Sequence, residues 1–364
     1  MLLDSGLRPI YRPTVLRDLI VSYLSKGMDL PEDGIKSAVA SLVDSGVMPE
    51  EKADFLCALA AKGETAIEIA GFAQHLRSLS TVPPISRDVR ALGILDVCGT
   101  GGDHQNTFNI STTVALIAAA SGVYVAKHGN RAITSTSGSA DVLEALGVRI
   151  DLLPHEAAAC LEKHQFAFFF AQNYHPAFRH IGPARKICAE RKQRTIFNLM
   201  GPLLNPAHPS AQLVGVPRPE YCEPIAHVLQ SLGVSRAMVV SGALGEGFLD
   251  EVSLGGPTTI AEFYQDRGFS LSTLTPDDFG LAPASAEAIR GGSREDNAAT
   301  LRAILAGEEK GPKLSATLLN AGAALFVAGR TRSIGDGIDM AQQMISSGAA
   351  LAKLEAVRKF EPNH

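Results

Sequence analysis

Apolar residues recur at helical spacing through the first part of the chain. Between residues 15 and 79 they fall three or four positions apart, as with Leu16, Leu19 and Ile20, which is the spacing of one helix face. Pro83 and Pro84 follow, and proline cannot continue a helix because it lacks the amide donor. The pattern predicts a small helical domain that ends at a linker over residues 82–86.

After this linker the pattern changes to short apolar runs that alternate with Ala- and Leu-rich stretches. The runs cover residues 94–98, 123–126, 167–171, 212–216 and 237–240. Such runs are typical of strands buried on both faces, and their alternation with helices predicts an α/β domain. Helical spacing returns over residues 297–305, 314–327 and 338–345. We therefore expect a mainly helical domain over residues 1–84 and an α/β domain over residues 85–364.

The composition is that of an ordinary globular protein. Hydrophobic residues make up 46% of the 364 positions and charged residues 20%, which excludes a disordered, collagen-like or disulfide-scaffold chain. The net charge of −5 argues against non-specific binding to nucleic acid or anionic membranes. The five cysteines are scattered singly, which favours a reducing compartment. Because the sequence shows no secretory leader and no apolar stretch of membrane-spanning length, we expect a soluble cytoplasmic protein.

Three glycines lie close together directly after the first predicted strand. The segment reads Gly99, Thr100, Gly101, Gly102, Asp103. Glycine lets backbone amides approach a phosphate closely, because no Cβ stands in the way and a positive φ is allowed. The spacing matches neither the dinucleotide fingerprint nor the P-loop. The turn is a candidate phosphate site, with a purely structural turn as the alternative.

Hydroxyl and amide side chains follow at the start of a predicted helix. They are Thr107, Asn109, Ser111 and Thr112, with Ile110 among them. Such residues often serve only as N-caps. The same geometry also presents free amides and the positive end of the helix dipole to an anion. Both interpretations stay open from these residues alone.

A polar loop follows the second predicted strand, over residues 127–141. It gathers Lys127, His128, Asn130, Arg131 and several hydroxyl groups between glycines. These donors suit a polyanion such as a pyrophosphate. A solvated surface loop is the alternative.

Paired carboxylates occur at Asp250 and Glu251, which we expect on a loop at a strand end. Carboxylates are hard oxygen ligands, and Mg²⁺ typically takes one or two of them while keeping water and substrate phosphate. Such pairs are common on protein surfaces. The pair therefore indicates a Mg²⁺ site only in combination with a nearby site for a phosphate-rich anion.

Basic and aromatic residues lie farther along, at His175, Arg185 and over residues 194–206. They could receive a flat anionic second substrate, although a hinge between domains is the plainer interpretation. We expect residues 176–206 to return to the helical domain or to form that hinge.

In this order the motifs resemble the anthranilate phosphoribosyltransferase family over nearly the whole chain from about Val15. The matching segments are KGET at 62–65, EIAG at 68–71, GTGGD at 99–103, NIST at 109–112, KHGNR at 127–131, GSAD at 138–141, RTIFN at 194–198, GP at 201–202 and DE at 250–251. The resemblance implies a Mg²⁺-dependent pentosyltransferase of tryptophan biosynthesis. Such an enzyme joins the phosphoribosyl group of phosphoribosyl pyrophosphate to the amine of anthranilate.

The resemblance also implies an architecture. It is a small α-helical N-terminal domain hinged to a large α/β domain with a central, mostly parallel sheet and helices around it. The active site lies between the domains, and the molecule is usually a homodimer that contacts through the helical domains.

The resemblance further assigns roles to individual residues. The residues that would bind phosphoribosyl pyrophosphate are Gly99, Gly102, Asp103, Thr107, Asn109, Ile110, Ser111, Thr112, Lys127, His128, Gly129, Asn130, Arg131, Ala132, Ile133, Thr134, Ser135 and Ser139. Thr100 and Gly101 of the glycine turn would also bind substrate. Ser111 and Glu251 would hold one Mg²⁺, and Asp250 with Glu251 a second. Gly99, Asn130 and Arg185 would contact anthranilate, with His128 and His175 lining its route. The catalytic residues would be Lys127, Asn130 and Arg185.

One segment departs from the family pattern. Between Arg185 and Arg194 this chain has eight residues, 186–193, where the family resemblance implies about five. The longer segment leaves open whether Arg185 or Arg191 reaches the carboxylate of anthranilate.

Two other functions are weighed against the transferase. A pyrimidine nucleoside phosphorylase of similar fold would share the glycine turn and the helical domain but should lack the Asp250 and Glu251 pair. A non-enzymatic relative that binds nucleic acid would need a basic face, and the net charge of −5 speaks against one.

Overall fold

The computed structural model describes residues 14–132, 137–265 and 268–362. The helices are α1 (Val15–Ser22), α2 (Glu32–Val43), α3 (Pro49–Lys62), α4 (Ala66–Ser78), α5 (Arg87–Leu92), α6 (Ile110–Ala120), α7 (Ser139–Ala145), α8 (Pro154–His164), α9 (Ala171–Tyr174), α10 (Gly182–Glu190), α11 (Cys222–Ser231), α12 (Arg294–Leu305), α13 (Pro312–Val327), α14 (Ile334–Ser346) and α15 (Ala349–Arg358). The strands are β1 (Ile94–Gly99), β2 (Tyr124–Gly129), β3 (Phe166–Phe170), β4 (Ala211–Gly215), β5 (Arg236–Leu244), β6 (Gly247–Leu249), β7 (Thr258–Tyr264) and β8 (Gly268–Leu274).

The described chain divides into two compact units. The first comprises residues up to 75 together with 177–196, and the second comprises 76–176 together with 197 onward. The first unit is helical and the second contains the whole sheet. The predicted fold class, a small helical domain and a large α/β domain, is confirmed.

Sequence signals define the helices of the first unit. Helix α3 has Pro49 at its first position and ends before Gly63, which adopts a positive φ of 88° that glycine tolerates. Its apolar face buries Phe55, Leu56 and Leu59 completely. Because Leu59 follows Phe55 and Leu56 by four and three residues, the three side chains form one stripe that faces the core.

A buried ion pair connects the end of α3 to the start of α4. Lys62 Nζ lies 2.6 Å from Oε2 of Glu68, and neither side chain is more than 3% exposed. The Glu68 carboxylate also accepts hydrogen bonds from the backbone N–H groups of Leu30, at 3.0 Å, and Thr65, at 2.9 Å. Charges buried this deeply need such partners. The KGET and EIAG motifs therefore serve the structure of the helical unit.

The second unit is built on an eight-stranded sheet of order β3-β2-β1-β4-β5-β7-β8, with β6 also paired to β5. Strands β1 to β5 are parallel to one another, whereas the pairings of β5 with β6, β5 with β7 and β7 with β8 are antiparallel. The chain runs outward from β1 through β2 to β3, and then continues on the other side of β1 with β4. The carboxyl ends of β1 and β4 flank this switch point, where ligands of open α/β sheets bind.

Apolar side chains alternate between the two faces of the sheet. In β3, Phe166, Phe168 and Phe170 join one core cluster, and Ala167 and Phe169 join another. The larger cluster includes α6 and α13, which are buried on nearly every side. Burial on both faces explains why the predicted strands appear as unbroken apolar runs.

The predicted elements compare closely with the observed ones, with a few differences. All five predicted strands and all three C-terminal helices are present, each shifted by a few residues at its ends. The hairpin strands β6, β7 and β8 and the last helix, α15, were not predicted. No described helix is long and apolar enough to cross a membrane.

Candidate active site

The glycine turn after β1 wraps around the carboxylate of Asp250. Gly101 and Gly102 adopt positive φ angles of 74° and 82°, and the backbone N–H of Gly101 donates to Oδ2 of Asp250 at 2.7 Å. A Cβ at Gly99 would overlap this carboxylate, and a Cβ at Gly215 would overlap the Asp250 backbone. Glycine at the ends of β1 and β4 therefore allows the carboxylate to approach the turn.

Three acidic side chains lie close enough to interact in this region. Burial raises the pKa of Asp250 well above its usual range, and the negative charges of Asp103 and Glu251 add to the shift. Burial likewise raises the pKa of Glu251 to about 8, against the opposing charge of Lys127. Repulsion between buried carboxylates of this kind is relieved by a bound cation.

Glu251 and Lys127 meet at the N-terminus of α6. The backbone of Ser111 lies beside the Glu251 carboxylate and favours its ionised form, which opposes the rise in its pKa. Lys127 is 1% exposed, and its Nζ donates to the carbonyl oxygen of Val97 at 2.7 Å and to Oγ of Ser111 at 3.2 Å. Burial lowers the pKa of Lys127, while the negative charge of Asp96 opposes that shift. The predicted carboxylates, lysine and helix start thus come together in the second unit.

Two buried polar atoms of this helix start have no protein partner among the described residues. They are Oδ1 of Asn109, the N-cap residue of α6, and Oγ1 of Thr112. Thr112 is fully buried, and the Nδ2 group of Asn109 donates to the carbonyl oxygen of Ser137 at 3.3 Å. Polar groups left unpaired at a helix N-terminus are suited to a ligand.

The loop after β2 is organised by Asp141 of α7. Its Oδ2 accepts hydrogen bonds from the backbone N–H groups of Ala132 and Gly138, both at 2.9 Å. Arg131 is held on the same helix, because Nη1 lies 3.2 Å from Asp141 and 2.9 Å from Glu144. The guanidinium of Arg131 therefore pairs with two carboxylates. The sequence prediction for Ile133, Thr134 and Ser135 lies outside the described residues.

Other predicted site residues near this loop also contact protein groups. Oδ1 of Asn130 accepts from the backbone N–H of Arg131 at 2.8 Å and from Nε2 of Gln172 at 3.4 Å. A Cβ at Gly129 would overlap Oγ of Ser139, the first residue of α7. Thr107 is tied elsewhere, since it forms an isolated antiparallel bridge with Arg290.

His128 and His175 form a buried pair. Their ring centroids lie 5.2 Å apart in an edge-to-face arrangement, and the side chains belong to residues only 9% and 6% exposed. Nδ1 of His128 lies 3.3 Å from the carbonyl oxygen of Gly201. Burial lowers the pKa of His128 to about 3 and that of His175 to about 4. Both imidazoles are therefore neutral at pH 7.

A buried polar network under the site was not predicted as functional. Asp96 and Asn205 are both fully buried. Nδ2 of Asn205 donates to Oδ2 of Asp96 and to the carbonyl oxygen of Ala126, each at 2.8 Å. The backbone N–H of His128 approaches Oδ1 of Asp96 at 3.4 Å. The sequence did contain a signal for this network, because Asp96 interrupts the apolar run 94–98. A buried charge there requires a buried hydrogen-bond partner.

Two arginines of interest lie on or beside α10 in the first unit. Arg185 is half-buried within α10, and burial lowers the pKa of its guanidinium. Arg191 follows the helix, and its Nη1 lies 2.7 Å from Oδ1 of Asp54 on α3. Arg191 is therefore held by a carboxylate of its own unit.

A ready-made cage of metal ligands is not evident. Across residues 14–132, 137–265 and 268–362, no three His, Cys, Asp or Glu side chains are arranged to hold a metal ion. Mg²⁺ rarely uses such cages, because it binds through one or two carboxylates, water and substrate phosphates. Asp250, Glu251 and the hydroxyl of Ser111 are hard oxygen donors of the kind it prefers.

Two protein-family models match the chain. The helical bundle domain of the glycosyl transferase family matches residues 17–80, and the a/b domain of that family matches residues 92–351.

Relatives with assigned names match over most of their length. An anthranilate phosphoribosyltransferase of Rubrobacter xylanophilus is 44% identical over 330 residues, which cover 90% of this chain and 93% of that protein. One of Symbiobacterium thermophilum is 43% identical over 341 residues, covering 94% and 96%.

Solved structures agree with the fold. The anthranilate phosphoribosyltransferase of Thermus thermophilus gives a TM-score of 0.84 at 41% identity and covers 94% of this chain and 98% of that one. The Saccharomyces cerevisiae enzyme in complex with PRPP and Mg gives 0.80 at 27% identity, covering 92% and 96%. The same yeast enzyme in complex with 4-fluoroanthranilate gives 0.79 at 26% identity, covering 93% and 96%.

Proposed function

The chain belongs to the anthranilate phosphoribosyltransferase family, and on that premise we propose the reaction it performs. It transfers the phosphoribosyl group of phosphoribosyl pyrophosphate to the amine of anthranilate. The products are N-(5-phosphoribosyl)anthranilate and pyrophosphate, in the second step of tryptophan biosynthesis from chorismate. The observation that carries this proposal is the buried group of Asp250, Glu251, Lys127 and Ser111 beside a glycine turn.

The acidic side chains fit Mg²⁺. Burial and the negative charge of neighbouring carboxylates raise the pKa values of Asp250 and Glu251, so a divalent cation would stabilise their ionised forms. We assign one ion to Ser111 and Glu251 and a second to Asp250 and Glu251. Bound Mg²⁺ would neutralise negative charge on the pyrophosphate group.

The second unit supplies donors for the pyrophosphate and the phosphate. Glycine turns and helix N-termini are backbone arrangements that bind phosphate groups, and we assign this role to the turn after β1 and to the N-terminus of α6. Lys127 adds a buried positive charge. Because Arg131 is engaged by Glu144 and Asp141, we assign to Lys127 a larger share of the charge stabilisation than to Arg131.

Anthranilate is assigned to Asn130 and Arg185, with His128 and His175 along its route. We assign the anthranilate carboxylate to Arg185, as the family resemblance implies, and Arg191 pairs with Asp54. The two histidines are neutral, so they offer an aromatic substrate an uncharged surface.

The chemistry follows from these side chains. Breaking the bond between ribose C1 and pyrophosphate builds positive charge on the sugar and negative charge on the leaving group. Lys127 and the backbone amides stabilise that leaving charge. The aromatic amine is already neutral near pH 7, so no strong base is required. Holding this amine next to C1 supplies much of the rate enhancement.

We propose a homodimer that forms through the helical unit, and a cytoplasmic location. All five cysteines are free thiols, which supports a reducing compartment. We assign residues 1–84 to the helical domain and 85–364 to the α/β domain, with 176–206 returning to the helical domain or the hinge.

Loss of anthranilate fluorescence tests the proposed function. Wild-type protein should consume anthranilate only when phosphoribosyl pyrophosphate and Mg²⁺ are both present. Glu251→Gln serves as the matched variant, because it keeps the size of the side chain and removes its charge. Absence of turnover in the wild type, or phosphorolysis of pyrimidine nucleosides without Mg²⁺, would overturn the proposal.

A further inference from the structure

Two cysteines from distant parts of the chain meet in the helical unit. Sγ of Cys57 on α3 and Sγ of Cys188 on α10 lie 3.8 Å apart, although the residues are separated by 131 positions. Cys188 is 1% exposed and also approaches the carbonyl oxygen of Ala53 at 3.7 Å. A disulfide requires a sulfur separation of about 2 Å. Small side-chain rotations would therefore bring the sulfur atoms to bonding distance.

An exposed ion pair lies beside Cys57. Nη1 of Arg191 is 3.9 Å from Sγ of Cys57 and 2.7 Å from Oδ1 of Asp54. The side chains of Arg191 and Asp54 are 43% and 61% exposed, and Cys57 itself is partly exposed. A small oxidant can thus reach Cys57 from solvent, beside the guanidinium of Arg191.

The longer segment 186–193 supplies half of this arrangement. Both Cys188 and Arg191 belong to it, and the proposed transfer reaction uses neither side chain. The segment that departs from the family pattern thus places a buried thiol and a cation against α3.

We propose that Cys57 and Cys188 are an oxidisable pair that forms a reversible disulfide within one chain when the protein meets a peroxide. In the first step the sulfur of Cys57 attacks a peroxide oxygen, the O–O bond breaks, and Cys57 becomes a sulfenic acid while hydroxide leaves and takes up the thiol proton. In the second step the sulfur of Cys188 attacks that of Cys57. The S–S bond forms, the S–O bond breaks, and the Cys188 proton leaves with the departing hydroxide as water. Two thiols and one hydrogen peroxide give one disulfide and two waters.

Exposure decides the order of the two steps. Cys57 is the sulfur that an oxidant reaches, whereas burial raises the pKa of Cys188 to about 12 and keeps it a protonated thiol. A buried thiol resists direct oxidation, and it reacts once an oxidised sulfur is formed beside it. Cytosolic disulfides, where they occur, are mostly transient bonds of this type.

The cross-link would act on α10. Arg185 and Cys188 lie on this helix within one turn of each other, so a covalent bond to α3 fixes the helix that carries Arg185. We expect the disulfide form to bind anthranilate less well and phosphoribosyl pyrophosphate equally well. This consequence rests on the proposed function of Arg185, whereas the disulfide itself does not.

The experiment oxidises the full-length protein with hydrogen peroxide, alkylates the remaining thiols after denaturation, and identifies peptides by mass spectrometry. We expect two of the five thiols to be lost, a linked peptide that contains Cys57 and Cys188, and full recovery with dithiothreitol. Non-reducing electrophoresis should show a single chain. Absence of the linked peptide, or a link between two chains, would overturn the proposal.

Three variants serve as controls. Cys57→Ser and Cys188→Ser should each prevent the disulfide, and Cys188→Ser should leave a sulfenic acid at Cys57 that dimedone traps. Cys222→Ser removes another buried cysteine, in the second unit, and should form the disulfide normally. If Cys57→Ser lost as many thiols on oxidation as the wild type, the assignment of the disulfide to Cys57 and Cys188 would be wrong.

Kinetics then separate the disulfide from its consequence. Oxidised wild type should show a raised KM for anthranilate that returns on reduction, and Cys188→Ser should show no such change. A fully linked protein with an unchanged KM would refute the effect on Arg185. Lack of turnover in the reduced protein would instead refute the proposed function, since the thiol measurement needs no substrate.

Discussion

Acid should destabilise this protein through His128 and His175. Both imidazoles are buried and neutral, with pKa values lowered to about 3 and about 4, first of all by burial. In the unfolded chain histidine titrates near pH 6.5. Since the folded pKa values are the lower ones, the unfolded state binds more protons below pH 6.5. The stability contributed by the neutral pair is complete above that pH and is lost as the pH falls towards 4 and 3.

The size of the effect follows from the difference in protonation. A pH of 5 lies about 1.5 units below the pKa of histidine in the unfolded chain. Protonation there stabilises the unfolded state by about 2 kcal/mol for each imidazole, because the folded imidazole does not bind that proton. The two residues together therefore cost about 4 kcal/mol of unfolding free energy between pH 7.5 and pH 5. This is a large part of the stability of an ordinary domain.

Urea unfolding at pH 7.5, 6 and 5 measures this loss. Over this range His128→Gln combined with His175→Gln should lose about 4 kcal/mol less stability than the wild type. The raised pKa values of Asp250 and Glu251 affect both proteins alike, so the difference between the two proteins reports the histidines. His155→Gln is the control, because His155 is exposed, and it should behave like the wild type. An equal loss of stability in the double variant and the wild type would refute the reasoning.

Further predictions concern the carboxylates, the glycines and the buried network. Asp250→Asn with Glu251→Gln should reduce Mg²⁺-dependent turnover by about 10² to 10³-fold or more, and an unchanged initial rate would remove their metal role. Gly215→Ala should lower turnover, and it should lower the free energy of unfolding by about 1–3 kcal/mol, because the added Cβ overlaps the backbone of Asp250. Initial rates and urea unfolding measure these two effects. Wild-type values for both would contradict the close contact. Asn205→Ala should lower the free energy of unfolding in urea by about 3 kcal/mol, since it removes the amide donor at 2.8 Å from the buried Asp96 carboxylate. A change below about 0.5 kcal/mol would contradict that role.

Apolar runs revealed the parallel strands because burial on both faces leaves few polar positions. Strands β7 and β8 escaped prediction for the opposite reason. β8 is largely exposed, and in β7 the polar residues Thr258, Thr259 and Glu262 stand among the apolar ones, so neither strand is a continuous apolar run. The segment of hydroxyl and amide residues that was predicted to start a helix contains the first turn of α6, which begins at Ile110.

The part of the candidate site that consecutive segments of the chain form was predictable from the sequence. The glycine turn follows β1, α6 follows that turn, and Lys127 lies on β2, the parallel neighbour of β1. Their proximity therefore follows from the predicted topology. The pairing of Arg131 with Glu144 could not be foreseen, because it depends on how α7 packs beside the loop. The same applies to Asn205, whose partner Asp96 is 109 residues away.

The central claim is that this chain moves a phosphoribosyl group to the nitrogen of anthranilate. Mass spectrometry and pyrophosphate quantification after incubation with anthranilate, phosphoribosyl pyrophosphate and Mg²⁺ test it most directly. We predict one N-(5-phosphoribosyl)anthranilate and one pyrophosphate for each anthranilate consumed. Intact anthranilate after incubation with the folded protein, or ribose 1-phosphate from a pyrimidine nucleoside and phosphate instead, would contradict the claim.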